Sequence, residues 1–411
     1  MTSKIRVAVV GQGYVGLPLA VAAAESGLEV IGLDINPIRI NTINQGISPI
    51  EDISNSRLKT ELSSNRFIAS SNFSLITNVN VVVICVPTPL DDKLEPDLSA
   101  LKGAVTSITP YLQSNTLIVS ESTSFPGTLR NVIYPLVKEN FKGNIEEIFF
   151  ASAPERVNPG DKKWHIKNTP RLIGGLNPES TSRAKEFYAN FCNEIVVTEN
   201  AEVAEAAKIM ENTFRLVNIA LMNELNQVFH LNNIDTNAVV DAASTKPYGF
   251  MPFRSGVGIG GHCIPVDPMY LTWWARQSGT ESKLVELADS VSRSMPKFVA
   301  EKALSLITNK ESKKKVLILG VAYKPGLADT RETPVLDLIK QFQSLGADVD
   351  WHDPLVNSWN GSSGVDLTWA CDVAVLATNQ PGITLQTLID AKIPILDCTN
   401  SYRGVSGVHS L

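Results

Sequence analysis

The chain is poor in the features that would fix its class at once. No apolar run approaches the ~20 residues a membrane-spanning helix needs, so no membrane partner is expected. Basic residues are outnumbered: 36 Lys and Arg against 42 Asp and Glu give a net charge of −6. That balance excludes the broad basic surface of a nonspecific nucleic-acid binder, although a local basic pocket for phosphates is compatible with it. Cysteines are few and scattered: Cys85, Cys192, Cys263, Cys371 and Cys398. An odd count without paired spacing reads as reduced thiols in a cytoplasm-like compartment. No His/Cys cluster has metal-ligand spacing, so no metal is expected. The first residues, Met1 to Lys4, run straight into an apolar strand and do not resemble a signal peptide, which again points to the cytoplasm.

What is present is a globular composition, 44% hydrophobic and 19% charged, over 411 residues. That length is too great for one ordinary core, so two or three domains are expected. Apolar strands are predicted at 5–10, 29–33, 81–86 and 117–120, with helical stretches between them. Such alternation indicates a doubly wound parallel sheet. From residue 200 to about 231 the pattern is helical, without Pro or Gly, and carries Met210, Phe214, Val217, Leu221, Leu225 and Val228 at spacings of three or four. Most of these read as core, on a helix long enough to bridge two domains and to make a dimer seam. After the charged segment 311–315, a second β/α series starts near residue 316, with further strands at 347–351, 373–377 and 393–397. The expected divisions are 1–199, 200–300 and 301–411.

Gly11-Gln12-Gly13-Tyr14-Val15-Gly16 directly follows the first strand and opens a helix. In that context it is the dinucleotide fingerprint of a Rossmann-like domain. Gly11 makes the tight turn, Gly13 admits the pyrophosphate, and Gly16 lets helix and strand pack. Asp34 ends the next strand, where a carboxylate accepts hydrogen bonds from ribose hydroxyls and repels a 2′-phosphate. NAD is therefore expected over NADP, with Arg39 as a mild counter-signal. Thr88, at the end of the third strand candidate, is a further cofactor candidate or simply part of a Pro-rich turn. The second series begins Gly320-Val321-Ala322-Tyr323-Lys324-Pro325 and lacks the three-glycine spacing, so no second dinucleotide site of this kind is expected. The fold class is thus α/β, with two doubly wound Rossmann-like domains joined by a long central helix and a helical middle domain.

Cys263 lies in Gly258-Ile259-Gly260-Gly261-His262-Cys263-Ile264-Pro265-Val266-Asp267. A thiolate attacks carbonyl carbon, and neighbouring glycines let a substrate come close to the backbone. A nicotinamide site and a reactive cysteine together suggest oxidation past the aldehyde. Lys208 and Asn212 stand one turn apart on the long helix, able to stabilise a developing oxyanion. Adjacent side chains point apart, so a His262–Cys263 dyad is not expected.

The fingerprint, Glu121-Ser122-Thr123-Ser124-Phe125-Pro126-Gly127-Thr128, Ala153-Pro154-Glu155-Arg156-Val157, Lys208-x-x-x-Asn212, the Cys263 loop, and Ala322–Pro325 through Asp329–Glu332 fall in one order. Together they resemble the UDP-glucose/GDP-mannose dehydrogenase family over essentially the whole chain. Within it, Pro-Glu-Arg-Val, residues 247–253 and Gly-Gly-His-Cys-Ile-Pro-Val-Asp-Pro look like the branch acting on UDP-N-acetylhexosamines. The resemblance implies NAD-dependent, four-electron oxidation of C6 to a uronic acid, with UDP-N-acetylglucosamine the leading substrate, for polysaccharide precursors. The manno and galacto epimers and UDP-glucose are alternatives.

Further roles follow from the same resemblance. Cys263 would carry a thiohemiacetal and then a thioester, and Lys208 and Asn212 would stabilise the oxyanion. Glu155 would activate the hydrolytic water, and Asp267 and Thr123 would orient water or take a proton near C6. Some relatives carry a second glutamate where this chain has Pro159, so any role of that carboxylate is in doubt here. Arg156, Val157, Arg215, Gly260 and Lys324 resemble substrate contacts, and Arg331 a cofactor contact, beside Tyr14, Val15 and Thr123. Tyr248, Phe250 and Phe253 would cover the sugar nucleotide. Arg254, a departure from the family's usual aromatic, would meet phosphate. A homodimer or higher homo-oligomer is expected. A two-electron hydroxyacid-type dehydrogenase and a noncatalytic NAD-binding module are the competing readings. The first of these lacks the thiol, and intact Cys263, Lys208, Asn212 and Glu155 argue against the second.

Overall fold

The computed structural model describes residues 5–157, 160–161, 163–308 and 313–411. Pro159 and residues 311–312 of the charged segment, like Met1 to Lys4, lie outside them. The chain forms two compact units, residues 1–211 with 273–279, and residues 212–272 with 280–411.

The first unit holds β1 (Arg6–Val10), β2 (Glu29–Leu33), β3 (Phe67–Ser70), β4 (Val81–Ile84), β5 (Leu117–Ser120), β6 (Phe149–Ser152), β7 (Arg171–Gly175) and β8 (Ile195–Val197). They form one sheet in the order β3-β2-β1-β4-β5-β6-β7-β8. Its order reverses at β1, between β2 and β4, and such a switch point opens a crevice at the carboxyl ends of the strands. Nearly every residue of β1, β4 and β5 is buried, as a sheet covered on both faces requires. The sheet is parallel except where β6 meets β7. A parallel pair needs a long crossover, usually a helix. Among the described residues between β6 and β7 there is no helix, and the chain doubles back to pair these two strands antiparallel.

The second unit contains β9 (Lys315–Leu319), β10 (Asp348–His352), the hairpin β11 (Ser358–Trp359) and β12 (Ser362–Ser363), then β13 (Val373–Leu376), β14 (Ile395–Asp397) and β15 (Val408–Ser410). The main sheet, β10-β9-β13-β14-β15, is parallel throughout. Strand alternation splits its core in two. Val316, Ile318, Val373, Val375 and Leu396 pack on one face, and Leu317, Leu319, Ala374, Leu376 and Ile395 on the other.

The helix Ala201–Leu231 runs unbroken, as its lack of Pro and Gly dictates. Ile209, Leu216 and Ala220 are buried, together with polar Asn223 and Asn226. Met210, Phe214, Leu221 and Val228 are exposed instead of lying in the core. Periodicity registers an apolar face but does not say what covers it.

Candidate active site

The glycine turn after β1 is built as its spacing implies. Gly11 has φ +92°, its N–H donates to Leu33 O at 2.7 Å, and a Cβ there would lie 2.4 Å from Cys85 O. A Cβ on Gly16 would sit 1.8 Å from Gly11 O, so helix Gly16–Glu25 can start here only with glycine. Gly13 differs, with no protein atom within 4 Å of where a Cβ would be. That opening, bounded by Tyr14 and Val15 at a helix N-terminus, fits a phosphate group. Asp34 is buried and accepts from Gln12 N and Asn36 N, both at 2.8 Å. Arg39 Nη1 pairs with it at 2.9 Å. The turn, its open centre and the carboxylate at the end of β2 fit a dinucleotide.

Two loops at the carboxyl ends of β4 and β5 are laced together. Thr88 Oγ1 donates to Thr123 O at 2.6 Å, and Ser122 Oγ donates to Val86 O at 2.7 Å. The chain beyond Thr123 is pinned by buried Glu205 on the long helix, which accepts from Gly127 N at 2.6 Å and Leu129 N at 3.0 Å. Burial pushes the Glu205 carboxyl up to about 7 despite those two donors.

Glu155 sits where the chain leaves β6. Its Oε1 accepts from Arg156 N and Val157 N, both at 2.6 Å, and its Oε2 from Arg171 Nη2 at 3.1 Å. Burial alone would raise its pKa. Arg171, the Val157 N–H and Lys208 outweigh burial and hold the carboxyl below its ordinary value. Lys208 is itself buried. The Arg156 guanidinium is engaged within this unit, by Glu211 at 2.7 Å and Pro170 O at 2.8 Å. Val157 packs against the core. Arg171, Glu205 and Tyr188 were not singled out in the sequence, and Glu121 appeared there only as the start of a motif, with no role of its own. One signal was available: an arginine opening the buried strand Leu172-Ile173-Gly174-Gly175 needs a partner, because arginine is seldom buried unpaired.

In the second unit, Cys263 is exposed at a turn that closes on itself. Its carbonyl accepts from Asp267 N at 2.8 Å and Val266 N at 3.2 Å, and helix Asp267–Gln277 begins there. Asp267 is buried, and Asn212 Nδ2 donates to its Oδ2 at 2.5 Å. Two candidates 55 residues apart are thus joined. No cysteine is in a disulfide, and the other four are buried. Burial raises the thiols of Cys85, Cys192, Cys371 and Cys398, which keeps them inert. The glycines before Cys263 are pressed against protein. A Cβ on Gly260 would meet Tyr323, Glu332 O and Pro334 within 3 Å, and one on Gly261 would meet the Tyr323 ring.

Arg331 forms a two-pronged pair with Asp329, at 2.8 and 2.6 Å. Partial burial and then Arg331 hold the pKa of the His262 imidazole below its ordinary value. Lys324 is half-buried in the loop after β9. Arg254 is bound to Asn237 at 3.0 Å and Asp241 at 2.5 Å, and Arg403 holds the other Asp241 oxygen at 2.6 Å. Tyr248, Phe250 and Arg215 are exposed, while half-buried Phe253 meets Phe214 edge-on, centroids 5.9 Å apart. Among the described residues no group of three His, Cys, Asp or Glu could hold a metal ion, and no helix is long and apolar enough to cross a membrane.

Three models of one family match in succession: the UDP-glucose/GDP-mannose dehydrogenase NAD binding domain over residues 5–192, its central domain over 202–294 and its UDP binding domain over 317–402. The chain is 37% identical to UDP-N-acetyl-D-glucosamine 6-dehydrogenase of Pseudomonas aeruginosa over 86% of its own length and 84% of that protein. It is 35% identical to UDP-N-acetyl-D-mannosamine dehydrogenase of Pyrococcus horikoshii over 92% and 90%. The solved structure of a UDP-D-ManNAc dehydrogenase from P. horikoshii superposes with a TM-score of 0.88 at 31% identity, covering 99% of this chain and 98% of that one. With the glycine turn, Asp34 and the exposed Cys263 in view, the chain belongs to the UDP-glucose/GDP-mannose dehydrogenase family and is an NAD-dependent nucleotide-sugar dehydrogenase.

Proposed function

We propose that the chain oxidises C6 of a UDP-N-acetylhexosamine, UDP-N-acetyl-D-glucosamine first among them, to the uronic acid, supplying precursors for polysaccharide. The relatives named for the gluco and manno sugars support that class. Bound NAD would supply the electron acceptor in both oxidation steps. The observation that carries the reading is Cys263, the one exposed thiol, in a turn closed on Asp267, with Asp267 held by Asn212.

The Cys263 thiolate attacks the C6 aldehyde, forming a C–S bond while the carbonyl oxygen takes a proton. Loss of the C6 hydrogen with its electron pair, together with the hydroxyl proton, leaves a thioester. Water then adds to that carbon, the C–S bond breaks, and the sulfur departs as the thiolate that began the cycle while the acid product loses its proton to solvent. Lys208 and Asn212 stabilise the oxyanion at each addition. Glu155 receives the proton of the hydrolytic water, directly or through a second water. Thr123 and Asp267 orient water near C6.

The cofactor is held by Gly11, Gly13, Tyr14, Val15 and Gly16 at the phosphates and Asp34 at the ribose, with Arg39, Thr88, Thr123 and Arg331 around it. The sugar nucleotide is held by Arg156, Val157, Arg215, Gly260 and Lys324 and covered by Tyr248, Phe250 and Phe253. Arg254 reaches a phosphate only by giving up Asp241. The exposed stripe Met210, Phe214, Leu221 and Val228 supports a homodimer or higher homo-oligomer, checked by light scattering of the purified protein.

A panel of UDP-sugars read by NADH absorbance tests the function. About two NADH should appear per UDP-N-acetylglucosamine consumed, and one per sugar would end the four-electron reading. Preference for UDP-glucose would end the N-acetylhexosamine assignment. Cys263→Ser should stop at the aldehyde or its adduct, and full turnover would exclude the thioester route.

A further inference from the structure

Arg171 opens β7 with its side chain 3% exposed. Its Nη1 lies 3.2 Å from Glu121 Oε2, and its Nη2 lies 3.1 Å from Glu155 Oε2. Nη1 also donates to Ala153 O at 3.3 Å. Behind the guanidinium stands the Tyr188 ring, 5.2 Å from it, and the Tyr188 hydroxyl donates to the other oxygen of Glu121. One cation therefore serves two carboxyl groups of unequal access. The Glu121 side chain is 0% exposed and that of Glu155 is 13% exposed.

Two carboxylates sharing one buried cation do not both ionise cheaply, and the more deeply buried one gives way. Burial, set against Arg171, pushes Glu121 up to about 8. Below that pH Glu121 is neutral, and the Arg171 charge falls to Glu155 alone. A planar fork reaches both groups at once, which a single ammonium cannot do.

We propose that Arg171 is the positioning residue of Glu155: its fork, braced by Glu121 and Tyr188, fixes the Glu155 carboxylate in the ionised, aimed state that thioester hydrolysis uses. This rests on the reading of Glu155 as the group that handles the hydrolytic water. The groups facing Glu155 are Arg171 from β7, Glu121 after β5, Lys208 from the long helix and Cys85 after β4, with Cys192 further back.

The test uses the full chain with NAD and UDP-N-acetylglucosamine, and the variants Arg171→Met, Arg171→Lys and Glu155→Gln. Arg171→Met should lower kcat about tenfold or more while leaving the sugar KM and the first burst of NADH intact, with acyl-enzyme accumulating by intact mass. The acid limb of its kcat profile should move up by about one pH unit. Arg171→Lys, which restores the charge but not the fork, should fall between Arg171→Met and wild type. Adding Arg171→Met to Glu155→Gln should cost nothing further. If Arg171→Met, or Arg171→Lys should the former not fold, turns over like wild type with the acid limb unmoved while Glu155→Gln stalls, the Arg171 assignment is overturned alone. If Glu155→Gln itself hydrolyses at wild-type speed, the underlying reading falls and takes the proposal with it.

Discussion

The turns after β1 and after β9 are the same device put to different ends. Each begins with a glycine at positive φ, +92° at Gly11 and +80° at Gly320. Each glycine N–H donates to the last carbonyl of the neighbouring strand, Leu33 O or His352 O. Each glycine abuts a carbonyl just beyond the strand on its other side, Cys85 O or Thr378 O. An aspartate follows the neighbouring strand in both, and both Asp34 and Asp353 accept backbone N–H bonds from the turn. Then they diverge. Two residues past the first glycine comes Gly13, open to ligand, whereas the same step past Gly320 gives Ala322, wholly buried. The first turn runs into a helix at Gly16, but the second reaches one only at Val335. The scaffold thus does not decide what binds. One buried methyl group and a delayed helix close a dinucleotide cradle.

The largest expected effect tests that contrast at the glycines. Gly320→Ala forces a Cβ to 2.0 Å from Thr378 O at positive φ, and Gly11→Ala does the equivalent at 2.4 Å from Cys85 O. Each should destabilise its unit by about 2–4 kcal/mol in urea unfolding. Gly13→Ala meets nothing in the protein, so it should leave stability within about 0.5 kcal/mol and weaken NAD binding tenfold or more by titration calorimetry. Equal loss of stability at Gly13 and Gly320 would break the comparison.

The aspartates come next. Asp353 accepts from Val321 N, Ala322 N, Leu355 N and Gln380 Nε2, so its truncation strands buried donors. Asp353→Ala should cost about 2–3 kcal/mol of stability and leave the NAD dissociation constant unchanged. Asp34→Ala should also lose stability but, unlike Asp353→Ala, should weaken NAD binding. A change in NAD affinity at Asp353 would mean the second turn is not closed.

These paired turns also mark how far the sequence could be read. Gly11, Gly13, Gly16 and Asp34 were legible because a ligand-binding turn concentrates its chemistry within a few residues of chain. The long helix and Cys263 were legible for the same local reason. Asp353 was not, since a lone aspartate after a strand carries no spacing. Nor was the Arg171 cluster, whose members stand 16 residues apart at Arg171–Glu155 and 67 apart at Tyr188–Glu121, brought together only by the sheet. The ion pairs of Arg156 with Glu211 and of Arg254 with Asp241 were not legible either, since sequence order does not pair these acids with them.

The loops beyond the turns extend the contrast. In the first unit a carboxyl pins the loop, Glu205 accepting from Gly127 N and Leu129 N. In the second an amide does so, Gln380 accepting from Gly326 N and donating to Leu327 O. Only the first pin titrates. Burial raises Glu205 from 4.5 to about 7, so between those values the unfolded chain has released a proton that the folded chain keeps. Its contribution is full below the unfolded value and is lost as pH rises through the folded one. Glu205→Gln should remove a slope on the order of 1 kcal/mol per pH unit across that window, measured as the difference from wild type in urea midpoints. A difference that does not vary with pH would show that the two pins are equivalent.

The smallest effect separates the two aspartates by charge. Asp353 is held by backbone N–H groups and an amide, whereas Asp34 also carries the Arg39 guanidinium at 2.9 Å. That cation softens the repulsion Asp34 exerts on a 2′-phosphate. It is 39% exposed, so the pair is screened and contributes little to stability. Arg39→Ala should therefore leave unfolding nearly unchanged and weaken NADP binding relative to NAD by about threefold, a salt-sensitive shift read from competition titrations at low and high ionic strength. A gain in NADP binding would mean that the Arg39 side chain crowds the 2′-phosphate position more than its charge helps there.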